Sequence, residues 1–388
     1  MRVLVVATLI LLVPLAGANG AVLEVAEIGR IGPEDGRLTD AEIDPSGALV
    51  LVVGEGGFAE RLDGDAPTDA DRSLELRGPT SSDLEAVAWH PGGRTALLVG
   101  SQGAVWRYAE EDGSLTNVND SSSVLNVPFT SVDWRRGGDM AYLGTDDGAI
   151  YRFSEGTGFD LIDTNATSTI RAIVCHGGTN ACLIITESDG LGVIGRDHAV
   201  GWVPDTANVP WFDASCPTPS IPTCVAFGSG KRTTMVELDE DVASRSRRGP
   251  VYIIDEAEGM FIGASVGSED LTLVHTAPMG LHIHRFREHA VYPHVAPSAF
   301  IEGAATASAG TVIATWGGTG AGVHILTAEG VVLQLQEAMV DIDDAIITTV
   351  LLVAVVISVP GAILGLIYMN SPFLQRRYLA WRQRSRGS

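Results

Sequence analysis

Five of the nine histidines in this 388-residue chain fall between His275 and His294. Two of them, in His282-Ile283-His284, lie two residues apart and so share one face of a strand. Paired imidazoles at that spacing are ligands for Zn²⁺ or Cu²⁺, which makes His282 and His284 the metal candidates. A second cluster is the loop Asp63-Gly64-Asp65-Ala66-Pro67-Thr68-Asp69-Ala70-Asp71, whose four carboxylates offer the oxygen ligands that Ca²⁺ takes. It lacks the glycine and the bidentate glutamate of an EF-hand loop, so a solvated acidic loop is the plainer expectation. Beyond Zn, Cu or Ca no cofactor is expected. For hydrolysis, neither a nucleophile elbow, G-x-S-x-G, nor the metalloprotease pattern H-E-x-x-H is expected. Gly228-Ser229-Gly230-Lys231-Arg232-Thr233-Thr234 lacks the first glycine of a phosphate loop and reads as a turn.

Four cysteines, Cys175, Cys182, Cys216 and Cys224, allow three pairings. The favoured one joins Cys175 to Cys182 across a hairpin and Cys216 to Cys224 around CPTPSIPTC. A zinc site is the rival, although the spacing is not of the C-x₂-C kind. Asn119-Asp120-Ser121 and Asn165-Ala166-Thr167 are sequons, glycan acceptors if the host modifies them.

The elements that carry these residues sit between two apolar ends. Residues 1–18 have one basic residue, Arg2, an apolar run and a small-residue site at Ala16-Gly17-Ala18, the layout of a cleaved signal peptide. Residues 345–369 carry no charge over a length that spans a bilayer as one helix, and five arginines with no acid follow in the tail 370–388. The expected topology is a single-pass, type I protein of the cell membrane. Residues 19–335 and an acidic stalk, 336–344, are then outside, and the tail is cytoplasmic. Taking the five tail arginines and Arg2 from the net −23 leaves −29 outside, which excludes nucleic acid, whose phosphates need a basic footprint. One lysine, Lys231, stands against 24 arginines, a usage found in salty surroundings.

Between the ends the chain repeats itself. LEAVAWHPGGRTALLVGSQGAVWRY (84–108) and FTSVDWRRGGDMAYLGTDDGAIYRF (129–153) align in their apolar and glycine positions 45 residues apart. Each reads as three strands with glycine-bearing turns between them, followed by a shorter fourth strand. Residues 38–62 and 170–194 repeat the pattern, and looser copies start near Thr223, Leu271 and Gly310. A register anchored on Glu60, Trp106, Tyr151, Ile194, Tyr252, His284 and His324 counts seven units. That register puts His284 at an inter-blade packing position and leaves His282 unexplained. Such units stack radially into a ring, so the fold expected is an all-β, seven-bladed β-propeller, with six blades the alternative, plus one C-terminal transmembrane helix. A strand at Leu23–Ile28 would close the last blade beside Val331–Leu335.

The cadence VAWHPGGRTALLVGSQGAVWRY resembles the WD-repeat/YVTN-like propeller superfamily over residues 40–335, without the Gly-His and Trp-Asp pairs of orthodox WD repeats. The resemblance implies a rigid ring whose rim and channel bind partners. The function expected is a membrane-anchored module that binds protein, peptide or glycan partners outside the cell and meets the lipid bilayer only through its helix. The alternative is a membrane-tethered hydrolase or lyase with its site at the channel mouth. A carboxylate or histidine cluster there would favour the enzyme, and an exposed apolar rim would favour partner binding.

Overall fold

A computed structural model describes residues 23–33, 36–76, 81–118, 124–295, 310–337, 367 and 370–385. The expected signal peptide, and the expected transmembrane segment apart from Ile367, lie outside the described residues. Among the described residues no helix is long and apolar enough to cross a membrane. The chain divides into two units, Met1–Glu337 and Ala338–Ser388, and the described part of the second holds the helix Pro372–Ser385.

The first unit is a seven-bladed propeller, which settles the count against six. Each blade is an antiparallel sheet, and in six of the seven the strands follow one another in the chain, so that turns link neighbours. The inner strands of blades 1 to 7 are Leu38–Ile43, Leu84–Trp89, Phe129–Trp134, Ile170–Cys175, Trp211–Ser215, Met260–Ser268 and Val312–Trp316. Blade 7 is completed from the other end of the chain. Leu23–Arg30 is its outer strand, antiparallel to Val331–Glu337, with Leu23 opposite Glu337 and Val25 opposite Leu335. Two residues assigned to the stalk, Gln336 and Glu337, therefore belong to the ring.

The core is distributed rather than central. Seven hydrophobic clusters lie one at each junction between neighbouring blades. A blade alone would expose both faces, so the repeat of apolar positions is a consequence of radial stacking. The two disulfides are Cys175–Cys182 and Cys216–Cys224.

Not every recurring glycine is a turn residue. Gly93 and Gly138 adopt φ of 71° and 69° in the turns after the inner strands. Gly54, Gly100 and Gly228 instead end the second strands of their blades and Gly144 is the penultimate residue of its own, all places where a side chain has no room. Gly100 has ordinary extended backbone (φ −175°), yet a Cβ there would meet the Asp83 carbonyl oxygen at 2.0 Å. Gly100→Ala is accordingly expected to destabilise by about 2–3 kcal/mol or more through overpacking. Gly156→Ala, where a Cβ meets nothing within 4 Å, should be near neutral. Denaturant midpoints of the two variants check the contrast.

Candidate functional site

The seven inner strands enclose a channel with a cavity of about 640 Å³. All seven strands carry a β-bulge near their start, where the pairing register shifts, just after the first residue in six blades and after Phe261, the second, in blade 6. The bulged Thr39 and Thr130 use their hydroxyls to join blades. Thr39 Oγ1 donates to the Leu84 carbonyl at 2.6 Å, and Thr130 Oγ1 to the Ile170 carbonyl at 2.6 Å.

An inner strand is also a sheet edge, and its outward N–H groups need acceptors. Carboxylates in blades 1, 3 and 5 supply them to blades 2, 4 and 6. Asp40 accepts from the Val87 N–H at 2.9 Å and Glu42 from the Trp89 N–H at 2.7 Å. Asp133 accepts from Cys175 at 2.7 Å, and Asp213 from Ala264 at 2.8 Å. The second oxygen of each aspartate accepts from the N–H of the residue that follows it. Seven of the eight carboxylate oxygens are thus held by backbone.

Enclosure by the ring raises these acids. Asp40 is pushed up to about 6, and Asp133 and Asp213 to about 7, by burial working against the hydrogen bonds they accept. Glu42 is pushed well above the usual glutamate range by burial and then by the charge of Asp133. Each keeps part of its surface on the channel, which limits the shift, but the direction is upward for all four.

The ring, its channel and its closure resemble solved structures. The chain superposes on the β-propeller domain of Cps50 (Swd1) from Myceliophteria thermophila with TM-score 0.60 at 10% identity, covering 81% of this chain and 100% of that one. It superposes on U3-55K with TM-score 0.59 at 8% identity, covering 81% and 98%. It superposes on YCF48 bound to D1 peptide with TM-score 0.57 at 13% identity, covering 81% and 96%. The fold is that of a seven-bladed β-propeller. No protein-family profile and no curated protein shows significant similarity to the sequence. At such identities the likeness is one of fold.

Strand pairing in this propeller reassigns the histidines. Trp106 and Tyr151 are the third-strand partners of Leu98 and Leu143, and the equivalent residue in blade 6 is His282, opposite Val274. His282, not His284, therefore occupies the recurring packing position. The equivalents in blades 4, 5 and 7 are Gly192, Thr234 and Leu333. Tyr252 belongs instead to the outer edge of blade 5 and His324 to the second strand of blade 7.

His282 and His284 are both buried, each with an unpartnered Nδ1. His284 Nε2 lies 3.4 Å from His289 Nδ1, and its ring stands edge-on to Phe227. Burial first and His289 second hold His284 down to about 3, so it is neutral at neutral pH. Among the described residues no three His, Cys, Asp or Glu side chains converge as a metal group. In the acidic loop, Asp63 accepts from the N–H groups of Asp65 and Ala66 and pairs with Arg72, while Asp69 caps Asp71. Lys231 spends its ammonium on the carbonyls of Asp255 and Ala257, as a turn residue rather than a phosphate ligand.

Contrary to expectation, Gly263-Ala264-Ser265-Val266-Gly267 does have the G-x-S-x-G spacing. It lies on the inner strand of blade 6 instead of a strand-to-helix turn. Ser265 Oγ is 3.2 Å from His275 Nε2, which also lies 3.4 Å from Thr315 Oγ1 of blade 7. Burial holds His275 down to about 4. The trio bridges blades 6 and 7 at the channel wall.

Proposed function

We propose that this propeller is a membrane-anchored cell-surface module that binds protein or peptide partners, with glycans a further class. The observation that carries this reading is the distribution of exposed apolar side chains. Eleven large ones are exposed on the described part of the propeller, and seven fall between residues 242 and 292: Val242, Val251, Tyr252, Ile253, Met260, Val266 and Tyr292. Ile253 and Met260 are 56% and 62% exposed. Apolar surface concentrated on blades 5 and 6 of a charged protein is a mark of partner contact. A propeller of the same fold has been solved with D1 peptide bound, which supports the same use of the ring. The two disulfides support an oxidising compartment outside the cytosol. Membrane anchoring rests on the charge-free stretch 345–369 and the arginines after it.

A hydrolase or lyase reading is favoured by two observations, the raised channel carboxylates and the Ser265–His275 contact. Two others weigh against it. The carboxylate oxygens are committed to backbone N–H groups, and an oxyanion formed at Ser265 would develop in an acid-lined channel.

One experiment separates the readings. The full chain, solubilised and used to capture proteins from its own envelope, is expected to recover a partner. Ile253→Glu combined with Met260→Glu should reduce that recovery at least tenfold while leaving the thermal midpoint unchanged. Equal recovery by parent and variant would remove blades 5 and 6 as the surface. No recovery, together with turnover of an ester or glycan panel that Ser265→Ala abolishes, would install the enzyme instead.

A further inference from the structure

The sequon Asn165-Ala166-Thr167 lies in the linker from the outer strand of blade 3, Gly158–Ile162, to the inner strand of blade 4. The linker is pinned on both sides of the asparagine. Thr164 is buried, its Oγ1 donating to the Gly148 carbonyl at 2.8 Å and its own carbonyl accepting from Trp202 Nε1 at 2.9 Å. On the other side, the N–H groups of Thr167 and Ser168 donate to Asp189 at 2.8 and 2.7 Å. Ala166 packs inward against the apolar junction of blades 3 and 4. What remains is Asn165, exposed at the apex with φ of 53°, its side chain in no hydrogen bond. Its backbone is left-handed, a conformation asparagine tolerates well.

We propose that Asn165 carries an N-linked glycan. A sequon is recognised as an extended or turned Asn-x-Ser/Thr segment open to solvent, and this one is held open by contacts that do not use the acceptor. In the transfer, the Asn165 side-chain nitrogen bonds to the anomeric carbon of a lipid-phosphate-linked oligosaccharide. The anomeric C–O bond breaks, the lipid phosphate leaves with the bonding pair, and one amide proton passes to a base of the transferase. The proposal rests on the exported reading, because such donors are used outside the cytosol.

Trypsin isolates the site. Cleavage after Arg152 and Arg171 gives a peptide, Phe153–Arg171, in which Asn165 is the only asparagine. Asn119, outside the described residues, falls on a different peptide. In full chain purified from its native cells, mass spectrometry should find Phe153–Arg171 carrying sugar mass. Asn165→Gln and Thr167→Ala should each return that peptide wholly unmodified, and Thr167→Ser should keep the sugar. The same digest reports whether Cys175 and Cys182 are joined. An unmodified peptide with the disulfide intact overturns the glycan and leaves the exported reading standing. An unmodified peptide with free thiols overturns both.

Discussion

Removing residues 23–30 is expected to abolish the cooperative unfolding of the propeller. Charging Val25 within that strand should cost it several kilocalories. Six blades draw their outer strands from the chain that has just made the rest of the sheet, but blade 7 draws its own from the N-terminal end. Seven registered residue pairs, from Leu23 opposite Glu337 to Arg30 opposite Val331, fasten the N-terminal strand to the last blade, beside the apolar cluster where blades 7 and 1 meet. Val25 is 4% exposed and packs in one cluster with Leu273, Leu281 and Leu335. Val25→Asp would place an unpaired carboxylate there, at a cost of about 4 kcal/mol or more. The control is Leu74→Asp in the outer strand of blade 1, whose two residues are exposed and close nothing; it should be near neutral. Thermal unfolding of both variants, with amide exchange in blades 1 and 7, measures the effect. A truncated chain that still melts sharply at the parental midpoint would show that the junctions between blades suffice without closure.

How much of this was legible in the sequence follows from where the repeat is dense. Blades 1 to 4 carry second strands such as TALLVG and AYLGT between glycine-marked turns, and they read directly. So did the closing strand and both disulfides, the latter because seven and eight residues separate each cysteine pair across a single turn. Blades 5 to 7 were counted correctly with their strands misplaced. The inner strand Met260–Ser268 is part-polar and mostly half-buried or exposed, and Trp211–Ser215, though none of its residues is exposed, carries polar Asp213 and Ser215, so neither shows the unbroken apolar run that marks a blade. Anchoring on Tyr252 gives spacings of 58 and 32 on its two sides, and His324 follows at 40. The paired positions Glu60, Trp106, Tyr151, Gly192, Thr234, His282 and Leu333 are separated by 46, 45, 41, 42, 48 and 51 instead. The shift mattered chemically, because it exchanged the structural roles of His282 and His284. The channel carboxylates were visible only in hindsight. An acid in an alternating strand normally marks the solvent face, whereas in a closed ring that face is the channel.

Those carboxylates set the second large expectation: relative to the parent, Asp133→Asn with Asp213→Asn should gain stability as pH rises from 6 to 8. The sign follows from proton binding. Asp133 and Asp213 are raised from 3.8 to about 7 and Asp40 to about 6, so across that interval the folded state holds protons that the unfolded state has released. Stability then falls as pH rises. About one unit for each of Asp133 and Asp213 between pH 6 and 8 amounts to about 3 kcal/mol. Below pH 6.5 the buried histidines act in the opposite sense. His275 and His284 are held down to about 4 and 3, so the unfolded chain binds protons that the folded chain refuses, and acidification destabilises. Carboxylates held low by hydrogen bonds, such as Asp44 and Asp189, are fully ionised by pH 6.5 and add nothing above it. Both sets of groups are shared by parent and variant, so the difference between the two isolates the channel. Asparagine keeps one acceptor oxygen and loses one backbone bond, a cost of about 1 kcal/mol per site at every pH that cancels in the slope. The substitution at Asp133 acts twice, since its charge is the second cause of the upward shift of Glu42. At constant ionic strength, the difference in thermal midpoint between double variant and parent should move in the variant's favour as pH rises from 6 toward 8, on top of that constant offset. Parallel curves would mean that the channel acids stay ionised in the folded ring. In that case the N–H groups of blades 4 and 6 outweigh the burial of the charges they hold.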